Sequence, residues 1–570
     1  MNTSPCKPQN LFPRALNIAA VLLVALLTLL AVRAYSAPPG PATKFEVSFP
    51  ASLHQGPITG RVFVIISRTD NVEPRFRAGW WGDTPPIFGV DVSALKPGGT
   101  ATVDSRTLGY PAKSLRNIPA GNYYAQAVLN VYTRFHRSDG HVIWAHMDHW
   151  EGQWFARSPG NLYSRVIPVH LDPQAGFNIK LSLTKVIPPI QVPADTAWVK
   201  HFKIESRLLS HFWGRPIYLG ATVLLPKGYR EHPQTHYPVV YLQGHFTLRA
   251  PFHFQTPGFG DGQDYGSRGA AFSDAWNSPG FPRMIVVTFQ HPTPYYDDSY
   301  AVNSENNGPY GDAIMKELIP AVEGRFRVIR RPYARVLTGG STGGWESLAL
   351  QVYHPAFFGG LWCFYPDPID FRNYDLVDIY TDNNAFYVPG RFWLAPERYI
   401  LRDANGQPEV SVREFSRLEA VLGSHGRSTQ QLNAWEAVYA PVGADGYPKP
   451  LWNKLTGEID HQVADSMRRR GYDLRAYLSE NWPRIGPELL GKLHFYVGDM
   501  DNYYLNLAVY RMQDFLENTS DPPYKGSFEY GRPMKGHGWS PMSDAQLLRV
   551  MADYVTRHAP AGADTSSWKY

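Results

Sequence analysis

The second half of the chain alternates short apolar runs with segments whose apolar residues recur at helical spacing. Apolar runs occur at 237–243, 335–337, 492–497 and 527–530, while helical periodicity occurs at 345–353, 503–516 and 543–557. Strands that alternate with helices usually build a parallel sheet with helices on both faces. The pattern predicts an α/β fold for this half of the protein.

Residues 44–192 show a different pattern, in which short runs of alternating apolar and polar residues are separated by turn residues. The clearest runs are 45–49, 60–67, 123–133 and 178–183, with no intervening segment of helical periodicity. This spacing predicts an all-β domain, an immunoglobulin-like sandwich. The proline-rich stretch at 186–193 reads as an extended linker to a second domain at 196–570.

The first 36 residues have the pattern of an export signal. Lys7 and Arg14 precede an apolar run at 18–32, and Ala34 and Ser36 provide small residues for cleavage. The run is short for a membrane span and suits a signal peptide, with an uncleaved signal anchor as the alternative. We expect the protein to be exported, to the periplasm or the medium, and to touch a membrane only through this segment if it is retained.

Composition indicates a folded protein with more than one core. The chain has 570 residues, of which 44% are hydrophobic and 14% aromatic, and its net charge of +5 includes no block of like charges. That balance argues against a nucleic-acid partner. After signal cleavage only Cys363 remains, in an apolar run, so we expect a buried thiol and no internal disulfide.

A serine stands in a G-x-S-x-G frame between a predicted strand and a predicted helix. Gly339 and Gly343 flank Ser341 at the two outer positions of the frame. A nucleophile elbow needs this context, because a tight turn lifts the serine to the helix N-terminus and small neighbours let strand and helix approach. The alternative is a glycine-rich turn carrying an ordinary serine.

An activated serine needs a base and an acid, and both have candidates downstream. His537 lies between two glycines on a loop after the strand predicted at 527–530. Asp501 follows the strand predicted at 492–497 and reaches further into its loop than Asp499, which is the alternative acid. Either aspartate also suits the N-cap of the following helix. The order serine, acid, histidine is that of a hydrolase triad.

The oxyanion of an ester reaction needs two backbone N–H donors. One is expected from Thr342, the residue after the serine, and the other from His245, on the loop after the strand predicted at 237–243. Phe246 is a near alternative.

Four motifs from residue 203 to the C-terminus carry a resemblance to a known family. They are ATVLLPKGY at 221–229, YPVVYLQGHF at 237–246, GPYGDAIMKELIPAVEGRFRV at 308–328 and TGGSTGGWESL at 338–348. The segment resembles the esterase family that includes esterase D, feruloyl esterases, enterochelin esterases and mycolyltransferases. The resemblance implies an α/β-hydrolase fold and a triad of Ser341, Asp501 and His537. It implies that no cofactor or metal is required.

Residues 371–487 form an insertion larger than a strand–helix crossover needs. Helical runs at 412–422 and 459–470 lie within it, and we expect it to cover the active site and select the substrate. The residues predicted to line the substrate pocket are Phe246, Asn303, Tyr310, Trp345 and Trp539.

A group of histidines in the N-terminal half invites interpretation as a metal site. His136, His141, His146, Asp148 and His149 crowd one segment, but strand alternation puts His146 and His149 on opposite faces. We expect histidines that are solvated or lie at a domain contact, and no metal.

The sequence therefore predicts an exported serine hydrolase that cleaves carboxylic esters through an acyl-enzyme. Its substrate would be a small-molecule ester or an ester of a glycan or siderophore. Two alternatives remain: an acyltransferase that uses the same triad, and a hydrolase fold that binds a glycan or siderophore without catalysis.

Overall fold

The computed structural model describes residues 42–256, 266–390 and 393–570. The predicted export signal at 1–36 lies outside these residues. Within them, none of the helices combines the length and the apolar character that crossing a membrane demands.

The segment 44–192, called the N-terminal half below, is built mainly from β-strands, as predicted. Nine described strands form one hydrogen-bonded set in the order β4-β1-β11-β9-β6-β2-β3-β5, with β10 paired to β6, and β7 pairs with β8. The strands are β1 Thr43–Ser48, β2 Ile58–Ser67, β3 Ile87–Leu95, β4 Ala101–Asp104, β5 Gly109–Tyr110, β6 Gly121–Val131, β7 Thr133–His136, β8 Val142–Ala145, β9 Leu162–Ser164, β10 Ile167–Leu171 and β11 Phe177–Val186.

Strand β11 joins two groups of strands around one core. Its first part pairs with β1 and its last part with β9, and the register shifts between Leu183 and Lys185. Phe45 on β1 belongs to the same buried cluster as Val64 on β2 and Leu129 on β6. Side chains from both groups thus fill one apolar interior.

The second half contains a sheet of eight described strands in the order β12-β13-β15-β14-β18-β19-β22-β23. The pairs β12/β13 and β13/β15 are antiparallel and the remaining pairs are parallel. This is the α/β-hydrolase arrangement, as predicted. The strands are β12 Val199–Ser206, β13 Ile217–Leu224, β14 Val239–Gln243, β15 Ile285–Gln290, β18 Arg335–Ser341, β19 Gly360–Pro366, β22 Leu493–Gly498 and β23 Ser527–Gly531.

Two short strand pairs and the helices surround this sheet. The pairs are β16 Asn303–Ser304 with β17 Gly308–Pro309, and β20 Tyr399–Arg402 with β21 Pro408–Ser411. The helices are α1 Arg207–Trp213, α2 Gly266–Asn277, α3 Tyr310–Ala313, α4 Ile319–Arg325, α5 Thr342–Tyr353, α6 Val412–Leu422, α7 Gln431–Tyr439, α8 His461–Arg469, α9 Leu474–Leu489, α10 Asn506–Glu517 and α11 Asp544–His558.

The predicted insertion contains more regular structure than its sequence pattern indicates. Helix α6 begins and ends where expected, with a capping box between Ser411 and Glu414, and α8 matches the second predicted run. Helix α7 was not predicted, since its residues are buried around the helix rather than on one face. Helix α9 was not predicted because Pro483 and Pro487 interrupt its pattern.

The N-terminal strands and the insertion share a small apolar core. Phe63 and Ile65 on β2 pack with Leu418, Val421 and Leu422 on α6. Beside them the buried guanidinium of Arg61 donates to the Val421 carbonyl at 2.8 and 2.9 Å and to Asp91 at 2.7 Å. These contacts fix helix α6 on the N-terminal sheet.

Candidate active site

Ser341 lies at the junction of β18 and α5, in a backbone conformation that few non-glycine residues adopt. Its φ and ψ angles are 57° and −125°. A Cβ atom at Gly343 would lie 2.2 Å from the Gln243 carbonyl oxygen, and one at Gly339 would lie 2.3 Å from the Gly343 carbonyl oxygen. Only glycine fits at these two positions, because strand, loop and helix are nearly in contact. The turn is a strand-to-helix elbow.

The same close approach brings the loop after β14 against the first turn of α5. His245 follows Gly244 on this loop, and its Nδ1 lies 3.2 Å from Asp297 Oδ1 and 3.4 Å from Asp298 Oδ2. Desolvation opposes a charge on His245 only in part, because its side chain is 49% exposed, and the two carboxylates raise its pKa well above the ordinary value. The imidazole is therefore held as a cation at the edge of the site.

Among the described residues, one group of three has possible ligand atoms close enough to hold a metal. It consists of His245, Asp297 and Asp298, whose ligand atoms lie within 4.8 Å of one another. Their contacts with one another account for this closeness.

His537 is paired with Asp501. The Nδ1 atom of the imidazole lies 2.8 Å from Asp501 Oδ2, and the His537 backbone N–H donates to Asn502 Oδ1 at 2.7 Å. Asp501 is fully buried, and its Oδ1 accepts from the Tyr503 N–H at 2.9 Å. The carboxylate thus fixes the ring so that Nε2 is free to accept a proton.

Asp499 points elsewhere. Its Oδ2 lies 3.8 Å from the Arg532 guanidinium, and its Oδ1 has no hydrogen-bond partner among the described residues. Of the two candidate acids, Asp501 is the one in contact with His537.

A third carboxylate, Asp367, lies directly after β19 and contacts the serine. The Ser341 hydroxyl donates to Asp367 Oδ1 at 3.2 Å, and the Thr342 hydroxyl donates to Oδ2 at 2.9 Å. Oδ2 also accepts from Tyr300, Gln431 and Trp435 at 2.6, 3.1 and 3.4 Å. Burial raises the pKa of Asp367, which has neutral donors and no cationic partner within ion-pair distance.

Ser341, His245 and His537 open onto one cavity of about 520 Å³. The N-terminal half and the insertion both contribute to its wall. The aromatic residues that line it are Trp80, Trp81, Trp154, Phe155, Phe246, Tyr296, Phe415, Trp435 and Tyr503. A volume of this size suits a small organic molecule, and an apolar wall with a few polar groups is usual for such sites.

Of the five side chains predicted to line the pocket, Phe246 does so and four lie elsewhere. Trp345 is fully buried on the core side of α5, against Tyr300 and Tyr439. Tyr310 is buried and its hydroxyl donates to the Pro292 carbonyl at 2.6 Å. Asn303 lies in a separate surface depression. Trp539 packs on Gly531.

Local sequence patterns did not identify Asp367, Asp375, Trp81 or Trp435, which also line the cavity. For Asp367 a signal existed, because a polar residue at the carboxyl end of a buried parallel strand faces the usual ligand edge of the sheet. The others belong to turns and helices whose place over the sheet depends on tertiary packing.

The remaining candidates have structural partners. His146 contacts Glu151 at 2.9 Å and the Val131 carbonyl at 3.0 Å, while Asp148 accepts three backbone N–H groups of its own turn. Cys363 is buried, with Sγ 3.3 Å from the Gly344 carbonyl oxygen, and burial raises the pKa of its thiol. The cysteine is a packing residue, as expected.

Comparison with known proteins supports the resemblance found in the sequence. Residues 218–399 match the family model described as "Putative esterase". The match includes Ser341 and Asp367 and ends before Asp501 and His537. No curated protein matches the chain.

Several solved structures are distantly similar. A ferulic acid esterase shares 17% identity, with 63% of this chain and 97% of that one covered and a TM-score of 0.33. The S-formylglutathione hydrolase of Agrobacterium tumefaciens shares 13%, with 64% and 96% covered and a TM-score of 0.32. That of Staphylococcus aureus shares 14%, with 63% and 98% covered and a TM-score of 0.31. Likeness at this level says nothing about the substrate.

Proposed function

We propose that Ser341 is the nucleophile, His537 the general base and Asp501 the orienting acid of this carboxylic ester hydrolase. Residues 218–399 of the chain match the esterase family described above. The observation that carries this proposal is the convergence of three features on one cavity. These are the strained elbow at Ser341, the His537–Asp501 pair and an aromatic wall.

In the proposed reaction, His537 Nε2 takes the proton of the Ser341 hydroxyl as its oxygen attacks the ester carbonyl. The tetrahedral intermediate collapses when His537 returns that proton to the leaving alcohol, and an acyl-Ser341 remains. Water then attacks the acyl group, with His537 again as base, and releases the acid.

The oxyanion of each intermediate would be held by the backbone N–H groups of Thr342 and His245. Support comes from the closeness of the Gln243–Gly244 backbone to Gly343, since Thr342 and His245 are the chain neighbours of these residues.

The serine must change its hydrogen bond before it reacts. In the structure its hydroxyl donates to Asp367, and we propose that an entering ester displaces it toward His537. Catalytic hydrogen bonds commonly tighten only when substrate is bound.

Two further proposals concern the N-terminal half. An immunoglobulin-like sandwich at 44–192 is supported by the way β11 spans two strand groups around one core. Export to the periplasm or medium is supported by the charged and apolar pattern of the first 36 residues.

The decisive test is covalent labelling with a fluorophosphonate, followed by peptide mass spectrometry. Modification of wild type at Ser341, with none in Ser341→Ala, would support the proposed nucleophile. A folded wild type that is unmodified, or is modified at another serine, would overturn it. Product analysis with added alcohols then separates hydrolysis from acyl transfer.

A further inference from the structure

The cavity beside Ser341 is lined by more carboxyl groups than cationic side chains. Four of its lining residues are carboxylates, Glu151, Asp297, Asp367 and Asp375, and none of the described lining residues is a lysine or arginine. Glu151 pairs with His146 and Asp297 with His245, each at about hydrogen-bond distance. The other two carboxylates have no cationic partner among the described residues.

Of these two carboxyl groups, Asp375 has the fewer compensating contacts, although its side chain is almost fully buried. Only 3% of the residue is accessible to solvent, and it has no hydrogen bond or ion pair with any described residue. Burial, together with the charges of Asp367 and Asp501, raises its pKa well above the ordinary value. Ionising a buried carboxylate of this kind is unfavourable unless a positive charge lies next to it.

The position of Asp375 is fixed by a tight turn. Tyr374 and Val377 exchange backbone hydrogen bonds at 2.9 and 3.2 Å, and Asp375 follows Tyr374 with a φ of 53°. Aspartate and asparagine adopt this region more readily than other residues with a Cβ. The turn therefore holds the carboxylate at the cavity wall and tolerates replacement by asparagine.

Aromatic rings complete this part of the cavity. Trp81 packs on Phe415, with ring centroids 5.4 Å apart, and its edge meets Tyr503 at 6.5 Å. Tyr503 in turn lies 4.9 Å from the ring of His537. Aromatic faces beside an unbalanced carboxylate attract an ammonium ion through both charge and cation–π interaction.

We infer that Asp375 and the rings of Trp81, Phe415 and Tyr503 form a subsite for a cationic group of the ester substrate. Since Ser341 lines the same cavity, this inference rests on the proposed function and specifies its substrate class, an ester bearing an ammonium group. Such a cation supplies the positive charge that the protein itself does not bring to Asp375.

The first experiment measures protection of Ser341 from the fluorophosphonate by tetramethylammonium, with neopentyl alcohol as the neutral analogue of similar size. In wild type we expect tetramethylammonium to slow labelling at a concentration at least about tenfold below that of the alcohol. Asp375→Asn should abolish most of this difference, whereas Asp445→Asn, whose side chain is 56% exposed and outside the cavity, should keep it. Equal protection by both compounds, or unchanged protection in Asp375→Asn, would overturn the subsite.

The second experiment compares substrates of one shape and different charge, a choline ester and the 3,3-dimethylbutyl ester of the same acid. We expect the ratio of their kcat/KM values to favour the choline ester by about tenfold in wild type and to fall toward one in Asp375→Asn. A ratio near one in wild type, or the same ratio in both proteins, contradicts the inference.

A calorimetric titration keeps the subsite separate from the proposed chemistry. If Ser341 is not labelled, the proposed mechanism fails, but binding of tetramethylammonium to wild type and not to Asp375→Asn still supports the subsite. Absence of binding to wild type, or equal binding by both proteins, rejects it. A thermal melt of Asp375→Asn that matches wild type confirms that both are folded.

Discussion

The hydroxyl of Ser341 donates to the carboxylate of Asp367 at 3.2 Å. Asp367 accepts hydrogen bonds from five side chains in all. It therefore holds three parts of the chain at one point: Ser341, Thr342 at the start of α5, and helix α7 of the insertion. The resting serine is thus held away from the base that is proposed to activate it.

We expect Asp367→Asn to keep fluorophosphonate labelling of Ser341 within about tenfold of the wild-type rate. The amide oxygen still accepts a hydrogen bond, more weakly than the carboxylate, and His537 keeps its contact with Asp501. The labelling rate constant is the measurement. A loss of a hundredfold or more would instead place Asp367 in the path of the proton.

Asp501→Asn should lower kcat by about 10⁴, as loss of the orienting acid does in serine hydrolases. Asp501 contacts His537 Nδ1 at 2.8 Å, and an amide there can stabilise the wrong tautomer. Asp499→Asn is the matched control, because Asp499 faces Arg532. Steady-state rates on one ester decide, and a larger loss in Asp499→Asn would reassign the acid.

Sequence patterns predicted the elbow and the loop that carries the proposed base, His537, because the local chain determines both. Gly339 and Gly343 report a close backbone approach that the structure shows, and His537 lies on a loop between two predicted elements. Trp345 is predicted to line the pocket, but the helix turns it into the core. Asp375 carries no local signal, since only tertiary packing leaves a turn aspartate buried and unpaired.

Arg61→Met should lower the free energy of unfolding by about 3 kcal/mol. Arg61 is 5% exposed, and its loss leaves the Val421 carbonyl without its side-chain donor and Asp91 with a weaker partner. Urea unfolding followed by tryptophan fluorescence measures the change, with exposed Arg116→Met as control. A change under about 1 kcal/mol would mean that the contact of the N-terminal sheet with α6 does not depend on this side chain.

The protein should lose stability as pH falls from about 6.5 toward 4, in part through His291. This histidine is 1% exposed, and burial lowers its pKa to about 4. Since the unfolded state binds the proton near pH 6.5 and the folded state does not, the contribution is complete above that pH and decreases by up to about 3 kcal/mol on acidification.

His291→Gln is the matched variant for this titration, since its amide oxygen can accept the hydrogen bonds from Ser299 that Nδ1 accepts now. Denaturant midpoints at pH 7 and pH 5 give the slope for each protein. We expect a flatter dependence in the variant, and identical slopes would assign the acid sensitivity to other groups.

The cavity beside Ser341 is lined by residues that lie far apart in the described chain. Trp80 and Trp81 lie toward its N-terminal end and His537 toward its C-terminal end. During synthesis these parts leave the ribosome in sequence, so the proposed nucleophile, Ser341, meets the proposed base, His537, and the aromatic wall only when almost the whole polypeptide exists. If the chain is exported as proposed, and crosses the membrane before it folds, the hydrolytic site would assemble on the far side. Esters inside the producing cell would then be protected by the order of assembly, without any inhibitor.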